Sequence, residues 1–363
     1  MPDPVRWVDQ ASARYSVYVG QGLLGGVGEV IASTLPGRVP YLLINEVVLR
    51  LYGDEVIRSF SEPPDVLVIP DGERFKTFET VQHLITTLIE HGAHRDSALV
   101  VVGGGVTGDV GGFVGAIFLR GVPIVHVPTT LLAQVDSSIG GKVAVNHPRG
   151  KNLVGSFHPP TAVVSDVDVL ATLEEGSIRC GIFEAIKSGV IADGQLFELL
   201  RANPGIVHER EASTMIEIVT RSIAVKAEIV EDDERENDRR RLLNYGHTIG
   251  HGIETALDYR LLTHGDAIAW GMIAANEIAV RRGIMEDRVR RTVDDAILAF
   301  VPARLVSLDP DRLIEAVSHD KKFRVGHRVM VLATGIGRCA IVDDISIDEI
   351  RRGIDAMLSA SEP

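Results

Sequence analysis

The sequence predicts an α/β domain built on a mainly parallel sheet, followed by a mostly α-helical domain. Three observations carry this reading. Short apolar runs alternate with amphipathic stretches up to about residue 173, one run ends in a glycine-rich turn, and beyond residue 174 the helical period takes over. At 363 residues the chain exceeds what a single core organises, so two domains are expected, 1–173 and 174–363.

Taken in order, Tyr15–Val19 alternates as a half-buried strand does, and Val39–Ile44, Asp65–Ile69, Ala98–Val102 and Pro123–Val127 are short apolar runs closed by turn residues. Between them, Thr77–Glu90 keeps Val81, Leu84, Ile85 and Leu88 on one helical face, and Val110–Leu119 reads as a further helix. Apolar strands separated by amphipathic helices make a parallel sheet covered on both faces, and such sheets bind ligands at the carboxyl ends of their strands. The second half reads as helices over Ile182–Ile191, Met215–Val230, Leu243–Leu257, Ala267–Arg282, Val289–Phe300 and Ile347–Leu358. A strand pair near His327–Ala333 and Arg338–Val342 interrupts them.

Hydrophobic residues make up 45% of the chain and charged residues 24%, the composition of a globular protein with a large core. The net charge of −13 argues against a nucleic-acid partner, whose phosphates require a basic field. Even Arg239-Arg240-Arg241 is flanked by Asp232, Asp233, Glu234 and Glu236. Cys180 and Cys339 alone give neither a disulfide framework nor a paired-cysteine metal knuckle, which suits a reducing compartment. No apolar run is long enough to span a membrane, and Met1-Pro2-Asp3-Pro4 lacks the cationic-then-apolar order of a signal segment, so a cytoplasmic protein with no membrane partner is expected.

Chemistry concentrates in four stretches. Gly103-Gly104-Gly105-Val106-Thr107-Gly108-Asp109 fits GxGxxG between a strand and a helix, where backbone amides at a helix start face a pyrophosphate. No acid lies about twenty residues on to take the ribose hydroxyls of a nucleotide. Asp71-Gly72-Glu73-Arg74-Phe75-Lys76, after another strand, offers that acid and a cation for phosphate, although an ordinary polar turn reads the same way. From Pro128 to Pro160, small and polar residues surround Asp136, Lys142, Lys151 and Asn152, the make-up of a cleft lining able to hold a phosphorylated, polyhydroxylated ligand. Last, Asn244-Tyr-Gly-His247-Thr-Ile-Gly-His251 sets two imidazoles four apart on one helical face thinned by glycines, and His264 follows at the start of another helix. Spacing alone pairs His247 with His251.

Together these motifs closely resemble the 3-dehydroquinate synthase family. The resemblance rests on Gly103–Asp109 followed by Gly112-Phe113, Arg120-Gly121, Pro128–Leu132, Asp136-Ser-Ser, Gly140-Gly-Lys142 and Lys151-Asn152. It continues through Phe183-Glu184-Ala185-Ile186-Lys187, Lys226, the run Arg240…Asn244…His247…His251 and Asp320-Lys321-Lys322, so it spans about Tyr15 to Leu332. Two positions depart from the family's usual residues: Phe183-Glu184-Ala185 stands where Ala-Glu-Val is common, and Asn45 where aspartate is frequent.

The resemblance implies a Rossmann-like, NAD-binding domain over 1–173 and a helical metal- and substrate-binding domain over 174–363, the dehydroquinate synthase-like fold. It implies that Glu184, His247 and His264 ligate a divalent metal, zinc or cobalt, while His251 faces the substrate. NAD contacts carried over fall on Asn45, Asp71, Gly72, Glu73, Arg74, Phe75, Lys76, Gly104, Gly105, Val106, Thr107, Gly108, Asp109, Thr129, Thr130, Lys142, Lys151 and Thr172. The catalytic and substrate set is Arg120, Asp136, Lys142, Lys151, Asn152, Lys187, Lys226, Arg240, Asn244, His251, and one or both of Lys321 and Lys322. The implied reaction turns 3-deoxy-D-arabino-heptulosonate 7-phosphate into 3-dehydroquinate and phosphate by oxidation, elimination, re-reduction and an intramolecular aldol addition, with NAD recycled. It also implies a homodimer in which Arg120 enters the neighbour's site. Another sugar phosphate cyclase, a metal- and NAD-dependent polyol dehydrogenase and a non-catalytic binding protein are the alternatives. The many cations and the retained ligands speak against them.

Overall fold

The computed structural model describes residues 2–258, 261–305, 308–318 and 329–361. The chain divides into two compact units, Met1–Leu173 with Arg210–Arg235, and Glu174–Glu209 with Glu236–Pro363.

The first unit carries strands β1 (Arg6–Asp9), β2 (Arg14–Gly20), β3 (Val39–Asn45), β4 (Asp65–Ile69), β5 (Ser97–Gly103), β6 (Ile124–Pro128), β7 (Lys142–His147), β8 (Gly150–Phe157) and β9 (Ala162–Asp166). Seven of them form one sheet in the order β1-β2-β9-β6-β5-β3-β4, parallel except for the β1–β2 pair at one edge. β5, β6 and β9 are buried along their whole length, as apolar strands covered on both faces must be. Helices α1 (Val27–Thr34), α2 (Glu46–Arg58), α3 (Phe78–Glu90) and α4 (Gly105–Ile117) connect them. Leu84 and Leu88 of α3 and Val110, Phe113 and Val114 of α4 share one core with Leu43, Leu99 and Val101 of the sheet. Burying each such side chain contributes about 1.5–3 kcal/mol. The chain leaves β3 outward to β4 and then crosses back to β5 on the other side, so the strand order reverses at β3. Sheets of this kind take ligands at such a reversal, beyond the carboxyl ends of the strands.

Several details differ from the sequence reading. Helix α4 begins at Gly105, not near Val110, because Gly104 in extended backbone lets the chain pass from β5 straight into a helix. The glycine-rich turn is therefore also the helix's first turn. At the other end α4 stops at Ile117, since Leu119 and Arg120 take left-handed φ values of 51° and 71° that no helix continues through. Finally, β7 and β8 form an antiparallel hairpin inside the stretch read as cleft lining, where glycine and lysine hide the strand alternation. The hairpin lies close on α4, and a Cβ on Gly112 would stand 2.4 Å from Val143 Cγ1. β1, only four residues long, gave no sequence signal at all.

The second unit opens with α5 (Glu175–Ile191), in which every residue from Cys180 to Ile191 is buried, followed by α6 (Gly194–Ala202) and the short α7 (Ile206–Glu209). Helix α8 (Ala212–Asp232) belongs to the first unit, where it packs beside β1 and β2. The second unit resumes with α9 (His247–Ala256), α10 (His264–Arg281), α11 (Asp287–Leu298), α12 (Pro310–Ser318), the antiparallel pair β10 (Met330–Gly335) and β11 (Arg338–Val342), and α13 (Ile347–Ser361). The helix expected over Leu243–Leu257 is broken. A 3-10 turn covers Arg239–Asn244, and Gly246, at φ 78°, resets the chain so that α9 starts at His247. α10 starts at His264 behind a reciprocal cap, in which Thr263 Oγ1 accepts from the Asp266 amide while the Asp266 carboxylate accepts from Thr263.

Helices α9 and α10 meet almost backbone to backbone. A Cβ on Gly271 would stand 2.0 Å from the Gly246 carbonyl oxygen, and one on Gly250 would stand 2.7 Å from Ile268 Cδ1 and 3.0 Å from the Ala267 carbonyl. Glycine is the residue that permits this approach.

Candidate active site

In the first unit the predicted residues gather at the carboxyl ends of neighbouring strands. Asn45 closes β3, Asp71 to Lys76 follow β4, Gly103 ends β5 with Gly104 just after it, and Thr129 and Thr130 follow β6. Asn45 caps α2, its Oδ1 accepting from the Val47 and Val48 amides at 2.8 and 3.3 Å, while its Nδ2 donates to Asp71 Oδ1 at 2.9 Å. Only an amide can do both, because aspartate has nothing to donate. Lys76 is buried; it is ion-paired with Asp109 of α4 and donates to Asn152 Oδ1 at 2.6 Å. Burial pushes the Asp109 carboxyl up, and Lys76 offsets that only in part. Asn146, which carries no signal in the sequence, completes the cluster. Its Nδ2 donates to Glu73 Oε1 at 2.7 Å, its amide to the Lys76 carbonyl at 2.8 Å, and its Oδ1 accepts from the Asn152 amide at 3.0 Å. Three separated sequence stretches are thereby tied into one network.

The glycines have a packing reason of their own. A Cβ on Gly103 would stand 2.6 Å from Thr107 Cβ, and one on Gly104 2.9 Å from Thr130 Cγ2. No side chain caps α4, so the amides of Gly105, Val106 and Thr107, ahead of Gly108, head a helix in which the first N–H groups have no partner of their own. That arrangement fits a pyrophosphate. Arg74 lies over the Phe75 ring at 4.7 Å, Gly72 has φ 106°, and Thr172 Oγ1 lies 2.9 Å from the Tyr52 hydroxyl. Lys226 of α8 reaches Asp136, with Nζ 2.5 Å from Oδ1 and donating to the main-chain carbonyl. Lys142 opens β7, Lys151 lies in β8, and Arg120 is exposed beyond the end of α4.

In the second unit Glu184 of α5, His247 of α9 and His264 of α10 converge. Nε2 of His264 and of His247 stand 3.3 and 3.6 Å from Glu184 Oε1. Donors bound tetrahedrally at about 2.0–2.2 Å from one ion stand roughly 3.3–3.6 Å apart, so the spacing fits zinc or a similar divalent metal. Glu184 is 1% exposed; Lys187 ion-pairs with Oε2, yet neither oxygen has a hydrogen bond of good geometry among the described residues. A buried carboxylate in that state, beside two imidazole nitrogens, fits a cation site. Burial alone would raise the Glu184 carboxyl, but Lys187, His247 and His264 hold it well below the usual range. The two imidazoles shift oppositely although both face the same oxygen. Burial and Lys187 push His247 well down, whereas for His264 burial is outweighed by carboxylates at both ring nitrogens, which raise it to about 10.

His251 stands with its ring centroid 5.3 Å from that of His247 and 6.0 Å from that of His264, one turn further along α9. Arg240 is buried in the 3-10 turn before α9, and Asn244 donates to Glu236 Oε1 at 2.6 Å. Glu236 and Glu254 are contacts that the sequence reading gave no role. Glu254 had a signal available, since it lies seven residues after His247 on the same helical face. Lys321 and Lys322 lie outside the described residues. Among the described residues no helix is long and apolar enough to cross a membrane.

Residues 66–180 match the family model described as 3-dehydroquinate synthase N-terminal, and residues 181–323 the one described as 3-dehydroquinate synthase C-terminal. The chain is 39% identical over 348 residues to 3-dehydroquinate synthase of Desulforamulus reducens, covering 94% of this chain and 97% of that protein. Among solved structures it is similar to 2-deoxy-scyllo-inosose synthase complexed with carbaglucose-6-phosphate, NAD+ and Co2+, at 28% identity, 96% and 98% coverage and a TM-score of 0.87. A 2-epi-5-epi-valiolone synthase from Streptomyces hygroscopicus subsp. jinggangensis 5008, solved with NAD+ and Zn2+, gives 28% identity, 95% and 97% coverage and the same TM-score of 0.87. Two family models that between them span most of the chain, and a relative this similar over nearly all of it, agree with the fold and with the converging residues: the chain belongs to the 3-dehydroquinate synthase family.

Proposed function

We propose that this chain is a phosphate-eliminating carbon–oxygen lyase that converts 3-deoxy-D-arabino-heptulosonate 7-phosphate into 3-dehydroquinate and phosphate, a step toward chorismate and the aromatic amino acids. The observation that carries the reading is the Glu184–His247–His264 group, in which Glu184 and His247 are buried, with Lys187 against it, in a chain of this family. NAD and a divalent zinc or cobalt ion are the cofactors, as in the two solved relatives. When bound, the nicotinamide takes up and returns a hydride, and the metal polarises the alcohol being oxidised.

The chain's own residues divide the remaining work. Glu184, His247 and His264 would hold the metal through one carboxylate and two neutral imidazoles. Lys187 keeps Glu184 ionised and supplies positive charge where the substrate's alkoxide develops. Lys142, Lys151, Lys226, Arg240 and the pair Lys321-Lys322 answer to a substrate that carries both a phosphate and a carboxylate. Their local field overrides a net charge of −13. Asp136, Asn152, Asn244 and His251 serve its hydroxyls and hold the reacting carbons for the aldol step. The substrate's phosphate oxygen removes the proton lost in the elimination. Asn45, the residues from Asp71 to Lys76 and from Gly104 to Asp109, Thr129, Thr130 and Thr172 hold the nucleotide.

The protein acts in the cytoplasm as a homodimer, with Arg120 of each copy completing the site of the other. The test is purified protein with the heptulosonate phosphate, following phosphate and NADH together. Phosphate release with only catalytic NAD+ is expected. Stoichiometric NADH without phosphate would point instead to a polyol dehydrogenase.

A further inference from the structure

His264 addresses two carboxylates with its two ring nitrogens. Its Nε2 stands 3.3 Å from Glu184 Oε1, and its Nδ1 stands 3.4 Å from Glu254 Oε2. Glu254 is a buried acid on α9, a helix that presents His247 and His251 on the same side. The geometry points to Glu254 as a positioning residue for the metal: by accepting the Nδ1 proton of His264, it fixes the tautomer that turns the Nε2 lone pair toward Glu184 and His247.

A neutral imidazole has one proton and one lone pair, and the nitrogen that carries the proton cannot ligate. His247 meets the same requirement with a different acceptor, its Nδ1 lying 3.2 Å from the Tyr245 carbonyl oxygen. Both rings thus commit Nδ1 and leave Nε2 for the ion. The two acceptors are not equivalent. A carboxylate makes the imidazole it accepts from a stronger donor to a metal than a carbonyl does, so His264 is the ligand whose strength depends on its partner. Ligand-capable atoms of His251, Glu254 and His264 also lie within 4.8 Å of one another, a second grouping in which Glu254 would itself be a ligand. That arrangement would spend His264 Nδ1 on an ion beside an exposed His251 and leave the buried oxygens of Glu184 without one. The Glu184 group is the better ion site, and Glu254 supports it from behind.

The inference rests on the metal reading above, and the experiment separates the two. Cobalt-loaded wild type, Glu254→Gln, Glu254→Ala, His247→Ala and His264→Ala are each titrated with a chromogenic chelator, while the visible cobalt spectrum, NAD affinity and thermal melting are recorded. Glu254→Gln, which keeps the side chain's shape, is expected to give up cobalt about 10-fold more readily, and Glu254→Ala up to about 100-fold, with the spectrum and NAD affinity unchanged. Unchanged cobalt affinity in both variants would reduce the contact to packing and overturn the inference. So would loss of cobalt by Glu254→Gln as complete as in His247→Ala with an altered spectrum, because Glu254 would then be a ligand. If His247→Ala and His264→Ala hold cobalt as wild type does, the metal reading itself fails. Should Glu254→Ala fail to fold, the isosteric Glu254→Gln decides alone.

Discussion

Glu184 and Lys187 are separated by one helical turn, and neither belongs inside a helix buried on every side unless something else is there to justify it. The three candidate ligands therefore predict a sharp split. Glu184→Gln, His247→Ala and His264→Ala should each lose the metal and turnover together, whereas His251→Ala keeps the metal and loses turnover, measured as metal content after gel filtration beside phosphate release. A metal-free His251→Ala with a metal-replete His264→Ala would reverse the assignment. Asn45 makes a second prediction at this scale. Asn45→Asp keeps the cap on α2 but replaces the hydrogen bond to Asp71 with a facing pair of carboxylates. About 1 kcal/mol lost at the nucleotide-holding turn corresponds to roughly 5-fold weaker NAD binding by calorimetry, with little change in melting temperature. An unchanged affinity would mean that Asp71 does not depend on this partner.

At the scale of elements, α10 and α11 are joined by a buried polar chain. The Tyr245 hydroxyl donates to Asn276 Oδ1 at 2.5 Å, Asn276 Nδ2 donates to Asp294 Oδ1 at 2.8 Å, and Arg290 donates to Asp294 Oδ2 at 2.9 Å. Burial raises Asp294 from 3.8 to about 6 despite both partners. A raised acid binds more protons folded than unfolded between those values, so its contribution makes stability fall as pH rises through that window, by up to about 3 kcal/mol. Melting curves between pH 4 and pH 7 should show Asp294→Asn gaining on wild type as pH rises. Parallel curves would refute this. Elements were also where the sequence was uneven to read. Parallel strands such as Ala98–Val102 and the amphipathic α3 stood out because burial on two faces or one leaves a period in the residues. The break at Gly246 and the β7–β8 hairpin did not, because one depends on a single dihedral angle and the other on contacts with α4. For the same reason, spacing along one helix favoured His247 with His251, while Glu184 and the two histidines that share it come from three helices. Only resemblance to a family supplied that set in advance; the contacts of Asn146, Glu236 and Glu254 were beyond it.

For the whole molecule, the proposed dimer makes a quantitative claim. If each site borrows Arg120 from the other copy, Arg120→Ala and Lys187→Ala are each nearly inactive as homodimers. In a mixed dimer one site then carries both defects and the other carries neither. Random remixing puts about half of the protein in mixed dimers with one good site of two, which gives about a quarter of wild-type phosphate release. Co-refolded protein that stays at the level of the separate mutants, with mixed dimers verified by mass, would mean that Arg120 serves its own subunit or none. The exposed, left-handed backbone at Leu119 and Arg120, where α4 stops short, is the local feature that such an exchange would use.

The near-contact of α9 with α10 bears on how this protein would look to a saturation-mutagenesis survey. Gly246, Gly250 and Gly271 carry no side chain that could do chemistry, yet any larger residue there would push apart the two helices that present His247 and His264. In a growth selection these three positions should be as depleted of substitutions as the ligands themselves. A ranking by depletion alone would list them among the chemical residues; a metal-uptake screen run in parallel would not separate them either, and only the melting temperature would tell spacers from ligands, falling even for alanine at these three positions, where a Cβ already stands 2.0–2.7 Å from its nearest neighbour.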